Sequence, residues 1–415
     1  LTADKSKTPG FSISSRLSFG KVQGHTEMKR VILFSSFTIA VLFLFGLLGW
    51  ALNGHGTIGL FRVTPISLYL FLFLVASGIA LIGLFLWYLR LDRRGRGRSL
   101  SNLILIASIL CIAFSIFAFG QLGGFPHAKD IEHIAQLSVP DTDRQQLHFA
   151  VGGDTQFGAG TNSPENTAAM LAQISNPANE YDLFFFLGDL VEYGFRDSLW
   201  REAFKAFSAT ASSVPTRFAP GNHDTLFGGL SRYWAYCAPA DTDTQNGSRL
   251  WYRVDVGNVH FLVLDVEWSA ETYSKEQAEW LETQLKNITA GDWKIVMSHG
   301  YYYSSGSTSL GWDWFDNPET ISALAPLFEE YGVDIVFSGH NHYLEFLQHS
   351  DVNYVVCGGF GGKLDPAPDY RSPGSIWLQS GQFGFAEVSI NGNEAILSFR
   401  DPDSNILQSF TIIKP

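Results

Sequence analysis

The sequence predicts an α/β body of two packed sheets with helices outside, preceded by three transmembrane α-helices. Three observations carry that expectation. The first 123 residues contain three long apolar runs without a Lys, Arg, Asp or Glu. From Leu147 onward, short apolar strands alternate with amphipathic helices. From Asn353 to Ile413 the chain reads as antiparallel strands joined by Gly-rich turns.

Residues 1–30 are polar, rich in Ser, Gly and Lys, and without a period, which predicts a disordered N-terminus. The chain opens on Leu1, and Met28 offers a second start. Val31–Leu52, Ile66–Leu89 and Leu103–Phe119 each approach the roughly 20 residues that span a bilayer. Arg90, Arg93, Arg94, Arg96 and Arg98 crowd the loop between the second and third runs, and Lys21, Lys29 and Arg30 precede the first. The loop between the first and second runs, Asn53–Pro65, holds only Arg62. Positive flanks prefer the cytoplasm, so the expectation is a multi-pass cell-membrane protein. Its N-terminus would lie inside, and everything after Gly124 outside. Residues 31–123 would be an anchor in contact with membrane lipid, since no ionisable residue lines a pathway through the runs.

Residues 124–146 read as a polar linker with Pro126 and Pro140, and residues 147–415 as the folded body. Leu147–Gly152 is the first expected strand, and Ser163-Pro164-Glu165 opens a helix with an N-cap and an N1 proline. Leu183–Leu187, an unbroken Leu/Phe run, suits a strand buried on both faces. Arg217–Ala219 is another short strand. Trp251–Asp255 and His260–Asp265 flank Gly257-Asn258 as a hairpin. Ser274-Lys275-Glu276-Gln277 is a capping box for a helix through Leu285. Lys294–Met297 is a strand, Ile321–Tyr331 a helix ended by Gly332, and Val333–Phe337 a further strand.

Charge divides the chain. The whole carries −12, and the first 123 residues hold roughly +9, which leaves roughly −21 for the rest. An acidic body of that size disfavours duplex nucleic acid as a partner. No protein partner is implied. Three cysteines are too few for a disulfide framework, and Cys237 and Cys357 read as separate buried residues in preference to a pair.

Polar residues of metal-ligand type follow five of the expected strands: Asp154-Thr155-Gln156, Gly188-Asp189, Gly221-Asn222-His223-Asp224, Ser298-His299, and Gly339-His340-Asn341-His342. Loops leaving strand ends are where α/β folds place their sites. A lone Gly-Asp is usually a turn and a lone His usually a core residue, but five such blocks in series are hard to obtain by chance.

These blocks resemble the calcineurin-like metallophosphoesterase signature, Asp-x-His, Gly-Asp, Gly-Asn-His-Asp/Glu, His and Gly-His-x-His. The resemblance covers about His148 to the C-terminus. It implies a four-layer α/β/β/α sandwich, two divalent metal ions (Mn, Fe, Zn or Mg) and hydrolysis of a phosphate ester of a small molecule or lipid head group. It also implies that Asp154, Asp189 and His342 hold one ion, and that Asp189 bridges to a second held by Asn222, His299 and His340. His223 would be the acid beside them, oriented by Asp224. Two divalent ions about 3.5–4 Å apart activate water and clamp the attacking and leaving oxygens of an in-line displacement. An imidazole titrates close enough to neutral pH to protonate the leaving oxygen. The alternative is a metal-binding sensor with weak turnover; intact Asp189 and His223 weigh against it.

Two departures stand out. Gln156 replaces the first His of the signature, either as a weak or water-mediated ligand or as a hydrogen-bonding neighbour; both readings shift the first site towards harder ions such as Mn²⁺ or Mg²⁺. The stretch His299–Ser305 is similar to purple acid phosphatases, which carry a ligand Tyr three residues after the second-block Asp; here Glu192 occupies that place. The aromatic segment Tyr301–Asn317, with Trp312 and Trp314, is either a substrate-binding rim or a loop packed on itself. Tyr370, Trp377 and Phe383 are candidates for the same rim.

Overall fold

The computed structural model describes residues 146–414, apart from 227–228, 238–247 and 310–311, and three helical stretches nearer the N-terminus: 33–35 with 37–41, 79–80 with 82–90, and 103–110. The chain divides into two units, Leu1–Trp50 with Tyr69–Phe119, and Ala51–Leu68 with Gly120–Pro415. In the first unit Leu33, Phe85, Tyr88 and Ile104 bury one another, and Phe37, Leu84, Leu89 and Leu105 pack against them.

Among the described residues, no helix is long and apolar enough to cross a membrane. That finding overturns the three transmembrane helices, and with them the multi-pass localisation and the extracytoplasmic placement of the body. Apolar runs of this kind also serve helices that pack on one another, as Leu33, Phe85 and Ile104 do. The expected lipid contact rested on those spans. The rest of the three runs, residues 1–30 and all but the last residue of the linker lie outside the described residues.

The body runs β1 (Gln146–Gly152), α1 (Pro164–Ser175), β2 (Leu183–Phe186), α2 (Asp197–Ala211), β3 (Thr216–Phe218), α3 (Asn222–Thr225), α4 (Leu230–Tyr236), β4 (Tyr252–Val256), β5 (Val259–Val263), α5 (Lys275–Asn287) and β6 (Trp293–Met297). It continues through β7 (Thr308–Ser309), β8 (Trp312–Asp313), α6 (Pro318–Tyr331), β9 (Ile335–Ser338), β10 (Leu344–His349), β11 (Val352–Cys357), β12 (Ser375–Gln379), β13 (Phe385–Asn391), β14 (Glu394–Arg400) and β15 (Ile406–Ile413). One sheet has the order β15-β14-β13-β1-β2-β3, the other β12-β10-β11-β9-β6-β5-β4. Within them β1, β2 and β3 are parallel neighbours, as are β5, β6, β9 and β11.

The side-chain period of two sorts the apolar residues into three layers. Phe149, Phe185, Phe261, Ile295, Phe337 and Val388 meet between the sheets. Phe184 and Phe186 point the other way, onto Met170 of α1 and Trp200 and Phe207 of α2. Leu262, Val296 and Val336 pack on Leu281 of α5 and Phe328 of α6. That is why β2 is unbroken Leu/Phe: both of its faces are covered. Cys357 lies in the inter-sheet layer and Cys237 in the layer under α1 and α2, so they are separate buried residues.

The expected hairpin is β4–β5, with Gly257 at φ 59°. Half of the expected capping box forms, with Ser274 Oγ accepting from Gln277 N at 3.2 Å. Helix α6 starts three residues earlier than expected because Asn317 caps it, accepting from Thr320 N, and Pro318 takes N1.

At the outer face of β13, the Glu387 carboxylate accepts from Tyr181 Oη at 2.6 Å and pairs with Arg400 Nε at 2.6 Å and His148 Nε2 at 3.5 Å. Burial works against its charge, but those three partners hold the carboxyl down at about 2. A depressed carboxyl stabilises the fold above its unfolded value near 4.5, and the stabilisation is lost as pH falls towards 2. Glu387→Gln is therefore expected to lower the unfolding free energy at pH 7 by about 1–2 kcal/mol, after allowing for solvent screening. Urea unfolding at pH 7 and pH 3 checks it: the gap from wild type should narrow at pH 3, and an equal gap at both would refute the assignment.

Candidate metal centre

The strand ends converge. Asp154 follows β1, Asp189 follows β2, Asn222 follows β3, His299 follows β6, and His340 and His342 follow β9. The backbone turns sharply at several of them, with φ of 69° at Asp154, 43° at Gln156, 54° at Asp189 and 68° at His340. Non-glycine residues in this region are strained, and such strain collects at functional sites. Neighbouring glycines let the loops close. A Cβ on Gly221 would lie 2.2 Å from Asp189 N, and one on Gly339 would lie 2.6 Å from Asp154 Oδ2.

Asp154, Asp189 and His299 are buried and bring one ligand atom each within 4.8 Å of one another. His299 Nε2 is 3.4 Å from Asp189 Oδ2 and 3.0 Å from Asn222 Oδ1. His340 Nδ1 is 3.0 Å from the same Asn222 oxygen and 3.2 Å from His299 Nε2. His342 Nε2 lies 3.4 Å from Asp154 Oδ1. Asp154 joins the same group, with Oδ1 3.9 Å from His299 Nδ1 and Oδ2 accepting from His340 N at 3.0 Å, so all six residues converge on one space.

The donor set fits cations. His299 Nδ1 donates to the Leu187 carbonyl at 2.8 Å, so a neutral His299 turns its Nε2 lone pair towards Asn222 Oδ1, itself an acceptor. Lys363 O takes the Nδ1 proton of His342 at 2.6 Å in the same way. Carbonyls that fix the far nitrogen are the usual support for imidazole ligands. The electrostatics agree. Burial works against charge on His299, but Asp189 and Asp154 carry it up to about 9. His342, also opposed by burial, is carried up to about 10, chiefly by Asp154. Burial raises Asp189 too, yet His299 and His223 outweigh it and hold the carboxyl below its ordinary range. His340 is pushed well below its usual value by burial and by His299. The carboxylates here call for positive charge, which divalent ions supply.

Gln156 is buried, and a Cβ on Gly362 would lie 3.2 Å from both its Oε1 and His342 Cε1, which puts its amide beside the His342 ring. His223 sits at the edge, half-buried, with Nε2 4.0 Å from Asp189 Oδ2 and its backbone N donating to Asp189 Oδ1 at 2.9 Å. Its orientation differs from expectation. Asp224 accepts from Gly221 N and Val191 N, both at 3.2 Å, and so ties the turn together. The ring is instead held by Glu192, whose carbonyl lies 2.8 Å and whose carboxylate lies 3.6 Å from His223 Nδ1. Burial raises the Glu192 carboxyl while His223 opposes the rise. Sequence reasoning gave Glu192 no role. The signal was its place three residues after Asp189.

Of the candidates added to the aromatic segment, two lie elsewhere and Tyr370 joins it. Trp377 stacks on Phe399 at 4.7 Å, Phe383 packs in the helix-side layer, and Tyr370 stacks on Phe315 at 4.3 Å. Tyr301 and Trp314 lie against His340.

Comparison with known proteins agrees with this geometry. Residues 147–344 match the family model of the calcineurin-like phosphoesterases. Purple acid phosphatase 22 of Arabidopsis thaliana is 26% identical over 281 residues, 63% of this chain and 62% of that protein. The probable inactive purple acid phosphatase 27 of the same plant is 26% identical over 276 residues, 58% of this chain and 45% of that protein. The solved structure of purple acid phosphatase PPD1 from yellow lupin (Lupinus luteus) seeds shares the fold, with TM-score 0.56 at 22% identity over 67% of this chain and 55% of that one. The chain spans less than two thirds of the length of each. Five strand-end blocks on a two-sheet scaffold, and a family match that begins at β1 and ends as β10 begins, agree on one conclusion: residues 147–344 are a calcineurin-like phosphoesterase domain.

Proposed function

We propose that the body is a metal-dependent phosphoric ester hydrolase, with Asp154, Asp189 and His342 at one ion and Asp189, Asn222, His299 and His340 at the other. The observation that carries this reading is the convergence of Asp154, Asp189 and His299 from three strand ends, with His223 Nε2 facing the same space. When bound, the ions supply Lewis acidity and the positive charge that an anionic ester needs in a body near −21. Gln156, with its amide beside His342, contributes a neutral oxygen to the first site. His223 holds the transferable proton. Its Nδ1 proton is committed to the Glu192 carbonyl, so Nε2 is the nitrogen that gives a proton to the leaving oxygen. The Glu192 carboxylate lies 3.6 Å from the same Nδ1. The turn of α3 keeps that ring beside the ions without making it a ligand.

The test is a panel of phosphate monoesters, diesters and pyrophosphates, offered to the full chain with each of Mn²⁺, Fe²⁺, Zn²⁺ and Mg²⁺. At least one ester should turn over, and chelation should stop it. Metal uptake without turnover of any ester would favour the sensor reading.

A further inference from the structure

Three aromatic rings enclose the His340 imidazole. Tyr301 and Trp314 lie nearly parallel to it, with centroids 5.5 and 5.8 Å away and planes inclined by 20° and 16°. Trp268 is steeply inclined to it, at 4.8 Å and 69°, and 5.0 Å from Trp314. The rings come from two loops, one after β5 and one after β6, and those loops are tied together. Gly300 N donates to Val266 O at 2.7 Å, and Asn317 Nδ2 donates to Trp268 O at 3.1 Å. Asn341, next to His340, donates to Trp314 O at 3.3 Å.

The two ring nitrogens of His340 meet different surroundings. Nδ1 faces Asn222 Oδ1 and His299 Nε2. Nε2 is buried and has no hydrogen-bond partner among the described residues. A neutral imidazole carries one N–H, and its place decides which nitrogen offers a lone pair. Aromatic faces are negative, so they attract an N–H and repel a lone pair. Trp268 is the one of the three rings steeply inclined to the imidazole, the arrangement in which an edge N–H can meet an aromatic face.

We propose that Trp268, supported by Tyr301 and Trp314, is a positioning residue for the metal centre. It fixes His340 as the Nε2–H tautomer, so that Nδ1 is the atom presented to the ion. The inference rests on the two-metal reading above. It gives the aromatic loop a role behind a ligand, where sequence alone left open a substrate rim or a loop packed on itself.

The test uses the full chain and Zn²⁺. Wild type should bind two ions. On loading, ¹⁵N spectra of labelled histidine, assigned with His340→Gln, should show the metal-induced shift at His340 Nδ1 and a retained proton at Nε2. Trp268→Leu should melt near wild type yet bind one of the two ions at least tenfold more weakly, and Trp268→Phe, which keeps a flat ring, should recover most of that loss. Two ions bound by Trp268→Leu at wild-type affinity would overturn the proposal, as would a metal shift at Nε2. If Trp268→Leu does not fold, the wild-type spectrum decides alone. A wild-type chain that takes up no Zn²⁺ would defeat the metal-centre reading itself, a result distinct from a loaded chain indifferent to Trp268.

Discussion

Asp189→Asn is expected to cut turnover by roughly 10³-fold or more and to lower the bound metal below two ions per chain. Asp189 is the carboxylate common to both proposed ion positions, buried to 1% exposure, with Oδ2 3.4 Å from His299 Nε2. An amide of the same shape removes one negative charge from the place where two cations must sit close together. The fold should survive, because the backbone N of His223 donates to Asp189 Oδ1, and an amide oxygen in that position still accepts. Metal analysis after dialysis, run beside the hydrolysis assay, separates the two effects. A purified variant with wild-type metal content and a near-normal rate would end the two-metal account.

His223→Ala should keep both ions yet lose roughly 10²–10⁴-fold in rate on alkyl phosphates, the usual contribution of a positioned acid. The loss should shrink on nitrophenyl phosphates, whose leaving oxygen needs little help from a proton. Glu192→Gln should show a milder version of the same contrast, since it removes the carboxylate beside Nδ1 and leaves the carbonyl in place. Asp224→Asn should act differently, through the α3 turn whose Gly221 and Val191 amides it holds. Metal content and rates on the two ester classes are the measurements. An equal loss on both classes would mean that His223 positions the phosphate and is not the proton donor. Loss of metal would move His223 into the ligand set.

Strands and ligand blocks were legible in the sequence for a common reason. A strand buried on both faces must be continuously apolar, as β2 is, and a polar ligand residue at its end then stands out against the run. Helix α2 was legible but unread: Leu199, Trp200, Ala203, Phe207 and Ala211 have helical spacing and are all buried. The N-cap at Asn317 was equally present in the letters. Other features were not. The pairing of His223 with Glu192 depends on how the loop after β2 meets the turn after β3, an approach that local pattern does not encode. The aromatic segment fitted a rim and a packed wall equally well, because composition says nothing about which face of a ring is covered. The apolar runs near the N-terminus matched bilayer length, but the same residue types pack helix on helix, and among the described residues no helix is long and apolar enough to span.

Both sheets contribute to the candidate metal centre. Asp154, Asp189 and Asn222 leave one sheet, while His299, His340 and His342 leave the other. In the proposed ligand set each ion draws on both, so bound ions would act as a clasp between the strand ends of the two sheets. An ion that binds only the folded form adds about 2.7 kcal/mol of stability at a hundredfold excess over its Kd. The backbone at Asp154, Asp189 and His340 is held in a conformation these residues rarely adopt, and such conformations persist only where surroundings over-determine them. On the proposed ligand set, chelation would reach beyond catalysis: it is expected to release the seam at its strained corner, and protease sensitivity there would gauge how fully the protein is loaded.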